Sequence, residues 1–240
     1  MSLDNSRHRG AHPEDEKLFA AKSLPALRQA VADLSWLLNR AYAPAASLKL
    51  VGDRFALKDR QRLAVARAAC TDEQLRHRQS GALPLENVHG QTLLIDGFNL
   101  LITLEAALSG GVLIACRDGC IRDLSSVHGT YRSVAETERA LLLVGETLAQ
   151  VQPQTVTWLL DQPVSNSGRL AARIRELAAA GNWPWTVEVV MNPDKVLRET
   201  DQIIITSDSN ILDASVRSVN LNRLLIEGHL QQAWLVDLNH

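Results

Sequence analysis

From residue 92 onward, short apolar runs alternate with stretches of helical periodicity, and three of the runs end in aspartate. Leu93-Leu94-Ile95 leads into Asp96, Trp158-Leu159-Leu160 into Asp161, and Ile203-Ile204-Ile205-Thr206-Ser207 into Asp208. Runs this short and this continuously apolar read as strands buried on both faces, which requires a mostly parallel sheet covered by helices. The intervening stretches supply those helices at 100–108, 133–151, 168–180 (closed by Gly181), 208–216 and 221–230. Further strands are expected at 185–190 and 234–236. Residues 112–116 and 120–123 flank Arg117-Asp118-Gly119 as a hairpin. The expected class is α/β, a three-layer α/β/α parallel sheet.

The first 80 residues have a different texture. Leu27, Val31, Leu34 and Leu38 recur at helical spacing, with Ser23 placed to cap that helix, Pro25 suited to its first turn and Pro44 beyond its end. A second helix is expected over 57–69, and Thr71 can cap a short third. Periodicity lapses over 79–90, which divides the chain into a small all-α domain (13–80) and an α/β domain (90–240). No apolar stretch reaches the ~18 residues that a membrane span needs. The N-terminus is polar, without a signal-peptide core, and three cysteines make no disulfide framework. These features point to a reduced, cytoplasmic protein without membrane contact. Residues 1–90 carry 14 Lys+Arg against 10 Asp+Glu, whereas 91–240 carry 11 against 17. A basic front half joined to an acidic back half suits a phosphate-facing surface beside a carboxylate cluster, and equally suits ordinary scatter.

Sites in open parallel sheets form beyond the carboxyl ends of the strands. Adjacent strands lie ~4.8 Å apart, so Asp96, Asp161 and Asp208 can converge there. Unneutralised, they would raise one another's pKa; a divalent cation removes the conflict, and oxygen ligands favour Mg²⁺ or Mn²⁺. The competing reading is three helix caps, since aspartate is a good N-cap. Asn99 and Asp213 lie within reach of the same strand ends, Asp213 facing the site only if Asp208 precedes its helix. Ser133-x-x-Glu136 reads as a capping box, which leaves Glu138 on an apolar seam in need of a metal or an arginine. Ser165, Asn166 and Ser167 enter a helix carrying Arg169 and Arg173, an anion seat or a plain cap. Cys116 and Cys120 lack the partners of a zinc site, and His128 reads as an exposed loop histidine or a substrate contact.

Leu93-Leu94-Ile95-Asp96-Gly97-Phe98-Asn99 resembles the opening strand of PIN-like and NYN-type nuclease domains. Thr206-Ser207-Asp208-Ser209-Asn210-Ile211-Leu212-Asp213 is similar to their later strand-end element. Over roughly 10–240 the chain also resembles an uncharacterised prokaryotic family that joins a helical domain, here including Leu50-Val51-Gly52-Asp53-Arg54, to a PIN-like domain. The resemblance implies acidic positions at Asp96, Asp208 and Asp213, with Glu138 as the helix glutamate. Asp161 is not a standard position and rests on the strand-end argument. The hairpin at 112–123 departs from a minimal PIN domain and leaves Asp118 and Asp123 unassigned.

The resulting expectation is a Mg²⁺- or Mn²⁺-dependent phosphodiester hydrolase acting on RNA or single-stranded nucleic acid. Asp96, Asp161, Asp208, Asp213 and Glu138 would gather metal, and Asn99 would orient water or phosphate. Ser165, Asn166, Ser167, Arg169 and Arg173 would hold the backbone, helped by Arg54, Lys58, Arg60, Arg62 and Arg67 of the helical half. Two alternatives stay open: a nucleic-acid-binding module with a degenerate site, and a metal-dependent hydrolase of small phosphates.

Overall fold

A computed structural model describes residues 8–125 and 131–239. The N-terminal helical region comprises α1 (Asp15–Leu18), α2 (Leu24–Leu38), α3 (Pro44–Arg54), α4 (Asp59–Ala68) and α5 (Asp72–Gly81). Then come β1 (Thr92–Asp96), α6 (Gly97–Leu108), β2 (Leu113–Ala115), β3 (Ile121–Asp123) and α7 (Thr137–Val151). They are followed by β4 (Thr155–Asp161), α8 (Ser167–Gly181), β5 (Trp185–Val190), α9 (Pro193–Arg198) and β6 (Ile203–Ile205). The chain continues through α10 (Ser209–Leu212), α11 (Leu221–His229) and β7 (Leu235–Asp237). No helix among the described residues is long and apolar enough to cross a membrane.

The principal sheet is four-stranded and wholly parallel, in the order β5-β4-β1-β6. Its two faces bury different residues of the same strands. Leu93, Ile95, Val156, Trp158, Ile203 and Ile205 join the large core formed with α6, α7, α8 and α11. Leu94, Leu159 and Ile204 point the other way, onto Leu197 of α9 and Ile211 of α10. Helices on both faces explain why these strands read as continuous apolar runs. A second sheet, β3-β2-β7, pairs β2 antiparallel to β3 and parallel to β7.

This second sheet changes the relation between the halves. Val112, Ile114, Cys116, Leu124, Val236 and Leu238 pack into one cluster with Leu27, Val31, Leu34, Val51, Ala64 and Val65. The core of the helical region is therefore continuous with one face of the second sheet. The lapse at 79–90 is a break in periodicity, while the apolar packing runs across it.

Local departures from the sequence reading have simple causes. Pro44 lies beyond the end of α2, as expected, and also starts a helix the sequence reading did not expect, α3, because its absent N–H belongs to the first turn, where no partner is needed. The Ser133–Glu136 capping box does not form; α7 begins at Thr137, whose hydroxyl accepts from Val134 N at 3.0 Å. Asn182, with φ of 51°, closes α8 in place of Gly181. Only Ser209–Leu212 of the helix expected over 208–216 is helical.

Candidate active site

The connection from β1 leads to β4 on one side, and the connection from β5 returns to β6 on the other. The crevice between β1 and β6, at their carboxyl ends, is thus where the winding reverses and where such sheets place ligands. Asp96 ends β1 there. Asp96 lies opposite Leu159 in the register, so Asp161 stands two residues further along β4. Ile95 pairs with Ile205, which puts Thr206 level with Asp96 and Asp208 two residues beyond. One aspartate on the central strand is flanked by one on each neighbour.

Asp96 occupies the N-cap position of α6 yet makes no cap hydrogen bond. Its Oδ2 instead accepts from Thr206 Oγ1 at 2.8 Å. Burial, with the charges of Asp208, Asp194 and Asp161 adding to it, pushes its carboxyl up to about 7. Asp161 is also raised, by burial and then Asp194; Asp194 is raised by burial and then Asp208. Asp208 does cap: its Oδ1 accepts from Asn210 N and Ile211 N at 2.8 and 3.3 Å. The cap reading holds for one oxygen of Asp208 and fails for Asp96.

Asn99, one turn into α6, bridges the crevice. Its Oδ1 accepts from Ser207 N and Ser207 Oγ, both at 2.8 Å. The Ser207 carbonyl accepts from Arg122 Nε at 2.7 Å. Arg122 in turn grips Asp118 with two bonds, 3.0 and 2.6 Å, and Asp118 also accepts from Arg78 Nη1 at 2.6 Å. Burial alone would raise the Asp118 carboxyl; the two guanidiniums more than offset this and hold it below its ordinary value. The hairpin that left Asp118 unassigned in the sequence thus buttresses the β6 end of the crevice. Asp123, its other unassigned acid, accepts from Thr103 Oγ1 at 2.9 Å.

Other expected site residues are engaged elsewhere. Asp213 accepts from Arg78 Nε and Gln74 Nε2, both at 2.7 Å, so both its oxygens anchor α5. Glu138 is half-exposed rather than buried on a seam, and it pairs with Arg173 at 2.5 Å. Arg173 is shared with Glu176, which neutralises it as a phosphate holder. In the expected anion seat, Asn166 Nδ2 donates to Tyr131 O and the Ser167 hydroxyl to Asp161 O and Val164 O. Ser165 and Arg169 stand exposed beside them. Of the basic residues of the helical half, Arg54, Arg60 and Arg62 pair with Asp33, Asp15 and Asp53; Arg67 pairs with Asp123 and lines a cavity together with Asn99 and Asp208. His128 lies outside the described residues.

Asp194 is the participant that sequence reasoning missed. It sits in the first turn of α9, a six-residue helix behind Asn192-Pro193, a stretch with turn-like composition and no apolar period. Among the described residues, no three His, Cys, Asp or Glu side chains stand close enough to hold one metal ion between them. The oxygen-only donor set fits a hard cation that binds through one or two carboxylates and keeps its waters, and does not fit a closed protein cage.

Residues 85–224 match the family described as "Domain of unknown function (DUF5616)". The chain belongs to that family. Residues 26–80 of this DUF5616 member match a second description, "Protein of unknown function (DUF434)". It is similar to an uncharacterized protein of Methanocaldococcus jannaschii, 33% identical over 186 residues, covering 78% of this chain and 88% of that one. No solved structure matches the chain significantly. The DUF5616 match thus spans every strand of the principal sheet, with Asp96, Asp161, Asp194 and Asp208 inside it.

Proposed function

We propose that this chain is a PIN-like, Mg²⁺- or Mn²⁺-dependent phosphodiesterase acting on single-stranded RNA. The observation carrying the reading is Asp96: a buried carboxylate on the central strand, declining the helix cap it could make, with Asp161 and Asp208 on the flanking strand ends. A buried carboxyl with neighbours of like charge is held in a protonated or cation-bound state. Asp96 and Asp208 would hold the ion, with Asp161 and Asp194 as outer acceptors for its waters. Such an ion supplies a bound water of lowered pKa and neutralises charge on the phosphoryl oxygens.

The chain's own residues do the positioning. Thr206 fixes one oxygen of Asp96, and the other accepts no hydrogen bond among the described residues. The α10 N-terminus fixes one oxygen of Asp208 in the same way. Ser207 fixes the amide of Asn99, so its Nδ2 faces outward as a donor to a phosphate oxygen.

The test is melting temperature with and without Mn²⁺, beside cleavage of a single-stranded RNA, for wild type and Asp96→Asn. An ion at 100 times its Kd stabilises by about 2.7 kcal/mol, a rise of roughly 5–10 °C for a chain of this size. Asp96→Asn is expected to lose both that rise and cleavage. A mutant that keeps the wild-type rise overturns the metal assignment.

The open spacing of the carboxylates favours one second reading, a nucleic-acid-binding module without hydrolysis. It predicts salt-dependent RNA binding with no cleavage under any divalent ion.

A further inference from the structure

A cavity of about 270 Å³ opens beside Asp208, which lines it, between the sheet and the helical region. Its walls come from distant parts of the chain: Arg67 from α4, Arg122 and Asp123 from β3, Asn99 from α6, and Ser209 and Asn210 from α10. Its volume is just below the ~300–1,000 Å³ usual for ligand clefts, room for no more than one nucleotide-sized unit.

Its lining is mixed: Ile102 and the stems of longer side chains supply apolar wall, and the polar groups are the donors of Arg67, Arg122, Asn99 and Asn210 beside the carboxylates of Asp123 and Asp208. Arg122 spends its guanidinium on Asp118, Ser207 O and Arg67 O, so it acts as a wall. Arg67 donates to the carbonyls of Asp123 and Ser125, two of its five N–H groups, and stands 3.7 Å from the Asp123 carboxylate. Three donors of Arg67 have no acceptor among the described residues. Neither have Asn99 Nδ2, the Ser209 hydroxyl nor the side chain of Asn210. Donors collected on one wall and carboxylates on the rim suit a phosphate seated beside a cation rather than on it.

We propose that this cavity seats the phosphate-bearing nucleotide next to the bond presented to the aspartates, with Arg67 of the helical region supplying its charge. The inference rests on the phosphodiesterase reading and names the part of an RNA strand that the site grips. It also gives the helical region a role: it completes the binding surface that the sheet begins.

The test uses the full chain in EDTA, where metal-dependent cleavage is silent, with hexauridylate and uridine monophosphate as probes. Arg67→Gln is expected to weaken hexauridylate about tenfold, equivalent to ~1.4 kcal/mol. It should also shrink the log–log salt slope by ~0.7, one phosphate contact on a single strand. Arg67 also ties β3 to α4, so Asn210→Asp serves as a second variant. Asn210 is exposed, and an acid in its place suits the first turn of α10 while placing negative charge on the cavity wall. It too should weaken hexauridylate about tenfold, and Arg54→Gln, outside the cavity, should not. Unchanged hexauridylate binding in both Arg67→Gln and Asn210→Asp overturns the cavity assignment, even if Asp96→Asn loses the Mn²⁺ shift as expected. Uridine monophosphate bound as tightly as hexauridylate overturns the strand assignment in favour of a free nucleotide.

Discussion

Asp96 couples the state of the crevice to pH. Its folded-state carboxyl, near 7, lies well above the ordinary value of 3.8. The folded protein therefore holds a proton that the unfolded chain releases. The stability this contributes is complete below about pH 4 and is lost as pH rises through 7. At 1.36 kcal/mol per pH unit the displacement amounts to about 4 kcal/mol, or on the order of 10 °C in Tm. Wild type without divalent ions is expected to lose more stability between pH 5 and 8 than Asp96→Asn, whose remaining pH dependence comes from the raised Asp161 and Asp194 carboxyls. Parallel curves for the two proteins would refute this. The strand-end aspartates were legible in the sequence because each closes an apolar run. Asp194 was not, because its place in the cluster depends on the return crossing from β5 to β6, which no local pattern announces. Asp213 misled for the opposite reason: it matches a motif position, yet Arg78 and Gln74, more than 130 residues earlier, occupy its carboxylate.

The turn from β1 into α6 is the tightest element junction at the site. A Cβ on Gly97 would lie 2.5 Å from Leu160 Cδ2 and 2.9 Å from Leu159 O, the second a backbone atom of the adjacent strand. The Leu159 backbone cannot yield without shifting β4 against β1. Gly97→Ala is therefore expected to cost about 1–3 kcal/mol, as overpacking does. If the proposed phosphodiesterase reading holds, it should also lower cleavage beyond what the stability loss explains, because Asp96 moves with its neighbour. Urea unfolding set beside initial rates separates the two; a variant with wild-type stability would remove the packing argument. At this scale the hairpin was readable from its turn, and the long helices from their periodicity. Helix starts were readable at Thr71, which caps α5, and at Pro25 in the first turn of α2, but not at Ser133, whose signal the packing around α7 overrides.

Over the whole molecule, the second sheet binds the two halves. A chain shortened to residues 82–240 would expose Val112, Ile114, Cys116, Leu124, Val236 and Leu238 together. At about 1.5–3 kcal/mol per apolar side chain, the loss rivals the 5–15 kcal/mol stability of a typical domain. Such a chain is expected to keep its far-UV signal, lose its near-UV signal and bind ANS. A cooperative melt with intact near-UV dichroism would mean that the α/β part stands alone. The sequence shows two textures but not their shared core, since β2 and β7 are three residues each and their pairing joins positions far apart in the chain. That pairing has a consequence for biosynthesis. Val236 and Leu238 complete a cluster whose helical members, Leu27 to Ala68, leave the ribosome far earlier. At ~5–20 residues per second, the interval is on the order of 10–30 s. Through that time the nascent helices have at most the early strand residues, Val112 to Leu124, to cover their apolar face, and the late strand completes the cover.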